Sequence, residues 1–262
     1  IECSAMSRHY IGDTLDIHGG GADLIFPHHE NEIAQSECAT GQPLANIWMH
    51  NGMLNVDGTK MSKSKGNFFM VRDLSKEYGY EPIRFMLLSV HYRSQLNYTI
   101  EVIESCKAAL QRLYNCRDSL KRALEAAPEG AASEQALADV KETREQFIRV
   151  MDDDFNTADG ISTIFELVRK INTASASGTA TKGTLQAYYD EFTALTNVLG
   201  LLYNGNNEEE QIPAEVTELI EKRKAARKAK DFALADSLRD QIAALGWTVE
   251  ETRQGTIVKK SN

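Results

Sequence analysis

Leu15-Asp16-Ile17-His18-Gly19-Gly20-Gly21-Ala22-Asp23-Leu24-Ile25-Phe26-Pro27-His28-His29-Glu30-Asn31-Glu32 is the stretch from which the fold can be read. Leu15–His18 reads as a short buried strand. Three consecutive glycines follow and read as a loop. Pro27 then opens a helical stretch running to about Cys38, in the first turn, where its missing N–H does no harm. Ile47–His50 reads as the next strand and Ile1–Cys3 as an earlier one, ending at Cys3. Strand, glycine loop, helix and strand predict an α/β sheet with its site at the strand carboxyl ends.

Beyond residue 74 the texture changes. Residues 75–204 are almost free of proline. Val102, Ile103, Cys106, Leu110, Leu113 and Tyr114 recur at spacings of three and four, as do Ile161, Ile164, Leu167, Val168 and Ile171. Each series makes an apolar stripe that a helical bundle would bury. Ala126–Ser133 and Ala174–Gly183 are small-residue stretches suited to loops between helices. Asn204-Gly205-Asn206-Asn207 and the glutamates after it read as a polar linker. Glu215–Lys230 then reads as a helix. Asp231 is placed to cap another, with Phe232, Ala235, Leu238, Ile242 and Leu245 on one face and Gly246 as its stop. Trp247–Val249 and Thr256–Val258 read as a hairpin around Arg253-Gln254-Gly255. The expected fold class is α/β plus all-α. It has three parts: an α/β part over 1–74, a helical bundle over 75–204, and a small α+β domain over 205–262.

Composition narrows the function. The chain has 262 residues, enough for more than one packed core, and a formal charge of −9, which argues against broad nonspecific nucleic-acid binding. No apolar run approaches bilayer-spanning length. Four cysteines at irregular spacing, with no secretory signal, point to a reducing cytoplasm rather than a disulfide scaffold. The chain opens on Ile1-Glu2-Cys3-Ser4 without an initiator Met, so a start in mid-protein is expected.

Three groups carry chemistry. His28 and Glu32, four apart on the expected helix, share a face, and Cys3 lies in the same region. Cys, His and Glu are all zinc ligands, and three protein ligands with an open fourth position are how catalytic zinc is held. The alternative is a solvated helix start whose acidic residues suit the dipole. His-Glu-x-x-His is absent, which removes metalloprotease chemistry. Cys38 falls off the His28–Glu32 face and, like Cys106 and Cys116, reads as a small core residue. The glycines would let backbone approach a ligand, and Asp23 would accept hydrogen bonds from ribose hydroxyls. His18, taken alone, reads as readily as a structural residue. Asp57-Gly58 is a tight turn leading into Lys60-Met61-Ser62-Lys63-Ser64, with Gly66 behind. Two lysines and two hydroxyls on such a loop suit a triphosphate, because ammonium groups neutralise charge building on departing pyrophosphate.

Lys60–Ser64 resembles the KMSKS motif of class I aminoacyl-tRNA synthetases. Gly21-Ala22-Asp23 and Pro27–Glu32 resemble a second segment of that class. Ile1–Met6, the triple glycine, Phe26–Glu32, Asn67-Phe68-Phe69, His91-Tyr92-Arg93-Ser94-Gln95-Leu96-Asn97-Tyr98 and Asp152-Asp153-Asp154-Phe155-Asn156-Thr157 resemble cysteinyl-tRNA synthetase in particular. The similarity covers nearly the whole chain. It implies that Cys3, His28 and Glu32 hold zinc, which takes the substrate thiolate directly. Gly21 and Asp23 would contact the adenosine ribose. Lys60, Lys63 and Ser64 would act on the phosphates of ATP, bound with magnesium, and His18 would lie near the bound cysteine. A soft thiolate ligates zinc far better than a serine hydroxyl, so discrimination needs no editing. The implied partners are cysteine, ATP, the cognate tRNA and an amino-terminal half. The complete enzyme would be monomeric, cytoplasmic and not bound to a membrane. The His-Ile-Gly-His-type motif and a further zinc-ligating Cys of the family are absent, which implies that residues 1–74 are the second half of a Rossmann-type nucleotide-binding domain and that the chain is inactive alone.

Residues 213–262 hold ten Lys or Arg against eight Asp or Glu, a local +2 that leaves −11 elsewhere. Lys222, Arg223, Lys224, Arg227, Lys228 and Lys230 cluster there, where the resemblance places an anticodon-binding domain. Trp247 reads as a core residue of that domain. Two other readings stand beside this one. The first is a cysteine ligase of mycothiol synthesis, which lacks an anticodon-binding domain; the basic helix and terminal hairpin speak against it. The second is a non-catalytic zinc- or RNA-binding module derived from a synthetase.

Overall fold

The computed structural model describes residues 1–62, 66–203, 213–228, 231–252 and 255–260. The chain divides into two compact units, Ile1–Asn204 and Gly205–Asn262.

The first unit opens on a helix, α1 (Glu2–Tyr10), where Ile1–Cys3 was expected to be a strand. Glu-Cys-Ser-Ala-Met-Ser lacks the β-branched run a strand needs. Glu2 in the first turn and Arg8 and His9 in the last also match the helix dipole. β1 (Leu15–Gly21) runs parallel to β2 (Ala45–Asn51), with Leu15 opposite Ala45 and Gly21 opposite Asn51. The three glycines are therefore the end of a strand, not a loop. At Gly20 a Cβ would come within 2.9 Å of the Leu24 side chain and 3.0 Å of the His29 ring. The strand can pass this close only without a side chain there. A 3-10 turn (Ala22–Leu24), a π-turn (Ile25–His29) and α2 (Glu30–Thr40) complete a βαβ crossover. Ser4 Oγ donates to Gln35 Oε1 at 2.9 Å, holding α1 on α2.

β3 (Leu54–Val56) pairs antiparallel with β4 (Thr59–Lys60) through the Asp57-Gly58 turn, whose residues have φ of 49° and 72°. After α3 (Val71–Tyr78) and α4 (Tyr80–Leu88), β5 (Leu96–Tyr98) returns parallel to β3. This strand lies inside a stretch expected to be helical. No periodicity shows in three residues; the pairing is instead held by Leu96 N–H on the Met53 carbonyl and Gly52 N–H on the Tyr92 carbonyl.

Four long helices follow: α5 (Ile100–Ala126), α6 (Glu134–Asp152), α7 (Thr157–Ala176) and α8 (Lys182–Val198). Each begins with a capping side chain. Thr99, Ser133, Asn156 and Thr181 accept from the backbone N–H of Val102, Ala136, Asp159 and Thr184. Such caps stabilise by about 1 kcal/mol each. Ile103, Leu113, Leu120, Ile164, Leu167 and Phe192 are wholly buried between the helices. No helix among the described residues is long and apolar enough to cross a membrane.

In the second unit α9 (Ala214–Lys228) and α10 (Phe232–Ala244) pack together. β6 (Trp247–Thr252) and β7 (Gly255–Lys260) form an antiparallel hairpin with Val249 opposite Val258. Asp231 caps α10 by accepting from Leu234 N–H, and Gly246, with φ 80°, follows its end. Ile242 and Trp247 are buried with Val216 and Ile220. Phe232 and Leu245, expected on the buried face, are exposed. They sit at the first position of the helix and at its C-cap. The Asn204–Asn207 linker and Arg253-Gln254 lie outside the described residues.

Candidate zinc and nucleotide site

The βαβ crossover brings three separated residues together. Cys3 rides on the first turn of α1, His28 lies in the π-turn and Glu32 in the first turn of α2. Their ligand atoms all lie within 4.8 Å of one another. His28 Nε2 stands 3.6 Å from Glu32 Oε1. Cys3 and His28 are exposed, whereas Glu32 is 4% exposed. A thiol, an imidazole and a carboxylate converging from one open side fit zinc, with the buried carboxylate as the fixed member.

His18 meets the same carboxylate. Its Nε2 lies 2.8 Å from Glu32 Oε2, so the ring donates to one oxygen while the other faces His28. A second group, His18, His29 and Glu32, also has its ligand atoms within 4.8 Å. His29 was not singled out from sequence, where it belonged to a solvated helix start. It is 3% exposed and hydrogen-bonds through Nδ1 to His50 Nε2 at 2.8 Å. Burial, then the neighbouring rings of His18 and His50, push its pKa below the usual histidine value, which keeps it neutral. Trp48 completes the wall, its ring 4.9 Å from that of His18. The available clue was alternation along β2, which puts Trp48 and His50 on one face of the strand and Met49 on the other.

Gly21 and Asp23 sit at the carboxyl end of β1, and the β3–β4 hairpin delivers Lys60 to the same place: Lys60 Nζ is 3.7 Å from Asp23 Oδ2. Asn67 braces the lysine loop by accepting from Ser62 N–H and donating to the Lys60 carbonyl. Lys63 and Ser64 lie outside the described residues. Cys38 is exposed rather than a core residue, because α2 packs on its neighbours through Glu32 and Ser36. Cys106 and Cys116 are buried as expected. On α9, Lys222 and Lys224 pair with Glu218 and Glu221 of the same helix, and Arg223 is 8% exposed. Two cations of the expected basic cluster are thus paired within their own helix, and Lys230 lies outside the described residues.

Residues 1–108 match the model of the tRNA synthetases class I (C) catalytic domain. Residues 146–203 match the DALR domain and 209–258 the cysteinyl-tRNA ligase anticodon binding domain. A cysteine–tRNA ligase of Caldicellulosiruptor saccharolyticus is 47% identical over 261 residues, 99% of the chain. The chain belongs to the cysteine–tRNA ligase family. Another such ligase, from Symbiobacterium thermophilum, is 50% identical over 97% of the chain. The chain spans 56% and 54% of these two relatives, so about half of their length. A LeuRS–tRNA–LeuAMS ternary complex from Agrobacterium radiobacter K84 superposes with a TM-score of 0.55, covering 69% of the chain and 25% of its own, at 18% identity. This last likeness extends to the fold alone. The chain therefore joins a match to a class I catalytic domain with matches to a DALR domain and an anticodon binding domain.

Proposed function

We propose that the chain supplies the zinc- and phosphate-binding side of an enzyme that activates cysteine with ATP and transfers it to its tRNA. The convergence of Cys3, His28 and Glu32 beside the Lys60–Asp23 pair is the observation that carries this reading. When bound there, zinc would supply a soft acceptor for the substrate thiolate. His18 holds the Glu32 carboxylate in place, and His29 with Trp48 packs against the His18 ring. Asp23 and Gly21 receive the ribose. Lys60 and Lys63 neutralise charge on the leaving pyrophosphate, Ser64 donates a hydrogen bond to the phosphates, and magnesium accompanies the ATP. Residues 1–74 act as the catalytic part, 75–204 as the bundle and 205–262 as the anticodon-binding part.

β1 and β2 form a two-stranded sheet, and Ile17 and Ile47 on it are 57% and 52% exposed. Such a sheet suits an amino-terminal half packing on it, and the chain alone is inactive in this account. The completed enzyme is cytoplasmic and monomeric. The test is cysteine-dependent exchange between ATP and pyrophosphate. It is run on the chain with and without the amino-terminal half of the Caldicellulosiruptor ligase, with serine as control. Exchange in the pair alone, for cysteine only, is expected. Its absence from an associated, zinc-loaded pair would favour a non-catalytic module.

A further inference from the structure

Two stretches that stood out in the sequence have no part in the site so far: His91–Tyr98, and Asp152–Thr157 in the turn between α6 and α7. The fold brings them together across some sixty residues. Tyr92 Oη donates to Asp154 Oδ1 at 2.7 Å. Arg93 donates from Nε to Oδ2 at 2.5 Å and from Nη2 to Oδ1 at 3.2 Å, and His91 Nε2 is 3.8 Å from Oδ2. Three consecutive side chains thus converge on one carboxylate. Asp154 and Phe155 both take left-handed backbone, with φ of 56°, where a non-glycine residue is uncommon. Thr157 Oγ1, donating to the Leu88 carbonyl at 2.8 Å, pins the same turn to the end of α4.

The held segment leads directly to the lysine hairpin. The Tyr92 carbonyl accepts from Gly52 N–H at 2.7 Å, and a Cβ at Gly52 would overlap the Ser94 carbonyl. β5 then pairs with β3, Tyr98 O accepts from Asp57 N–H at 3.1 Å, and Asn97 Oδ1 accepts from Gly58 N–H at 2.8 Å. Both residues of the turn between β3 and β4 are therefore fixed from β5, and β4 ends on Lys60.

We propose that Asp154 is a positioning residue for Lys60, clamping His91–Arg93 to the helical bundle and so setting the β3–β4 hairpin over the nucleotide site. This rests on the reading of Lys60 as a phosphate-binding residue.

Asp154→Asn is the discriminating variant, because Asn tolerates left-handed backbone and can still accept from Tyr92 while losing the charge on Arg93. Hydrogen exchange of the 262-residue chain reads the coupling without any catalysis. The amides of Asp57, Gly58 and Leu96 should exchange about three- to tenfold faster in Asp154→Asn, with Leu113 and Ile164 unchanged. Unchanged hairpin exchange, or acceleration spread evenly over the bundle, overturns the proposal. In the pair with the amino-terminal half, Asp154→Asn should lower kcat for ATP–pyrophosphate exchange while KM for cysteine holds. A loosened hairpin with full exchange activity also overturns it. Lys60→Ala is the control: if it retains full activity, the reading of Lys60 falls, and the amide data still report separately whether the clamp exists.

Discussion

Replacing His18 by Ala tests whether the Glu32 carboxylate is held for a metal. Glu32 is 4% exposed, and one of its two oxygens takes a hydrogen bond from His18 at 2.8 Å. A hydrogen bond to a buried charged group contributes about 1.5–3 kcal/mol net. Removing an outer partner of a metal ligand typically lowers affinity about 10–100-fold, which is about 1.4–2.8 kcal/mol. The two magnitudes agree, so His18→Ala should weaken zinc binding by about that factor. His18→Gln, which can still donate, should recover part of it. The assay is competition for zinc against a chelator of known affinity at fixed pH, with circular dichroism confirming that each variant is folded. Parental affinity in a folded His18→Ala chain, alongside lost affinity in Glu32→Gln, would refute the reasoning, because Glu32 would then need no help from His18.

Alkylation of the folded chain should label Cys3 and Cys38 and spare Cys106 and Cys116. Burial raises both of the latter thiols, Cys116 to about 12. Zinc should protect Cys3 but not Cys38, as mass spectrometry of the labelled peptides would show. Leu113→Ala, at a wholly buried site in the bundle, should cost about 2–5 kcal/mol and shift the denaturant midpoint at constant slope. The Arg93 guanidinium, then the Tyr92 hydroxyl, holds the Asp154 carboxyl down at about 2, well below the usual carboxylate range. A depressed folded-state value means stability that is present above the unfolded value and lost as pH falls through the folded one. The difference in melting temperature between parent and Asp154→Asn should therefore hold steady above about pH 5 and vanish between about pH 4 and 2.

The helices were legible because their signals repeat. Ile103, Leu110 and Leu113, or Ile161, Ile164 and Leu167, mark a buried stripe several times over, and Thr99, Ser133 and Asn156 supply capping chemistry at the starts. The short strands were less so. Leu96–Tyr98 is a strand because β3 and Gly52 lie beside it, not because its residues alternate. Gly19–Gly21 looked like a loop because glycine usually is one. It is strand because it pairs with Met49–Asn51 of β2, and at Gly20 the His29 ring and Leu24 occupy the space a side chain would need. Cys3, His28 and Glu32 were nameable from ligand chemistry and the resemblance, but the α1 helix that carries Cys3 was not. His29 and His50 escaped because their role depends on a contact between a crossover and the strand after it, which no local spacing encodes.

The central claim is that Cys3, His28 and Glu32 hold a zinc ion that receives the thiolate of cysteine. Cobalt in place of zinc makes this visible, since a thiolate ligand adds a charge-transfer band to the cobalt spectrum. In the chain paired with its amino-terminal half, the account predicts a band that grows when cysteine is added and stays constant with serine, while Cys3→Ser weakens the starting band. A spectrum indifferent to cysteine in a pair shown to be associated and cobalt-loaded would contradict it.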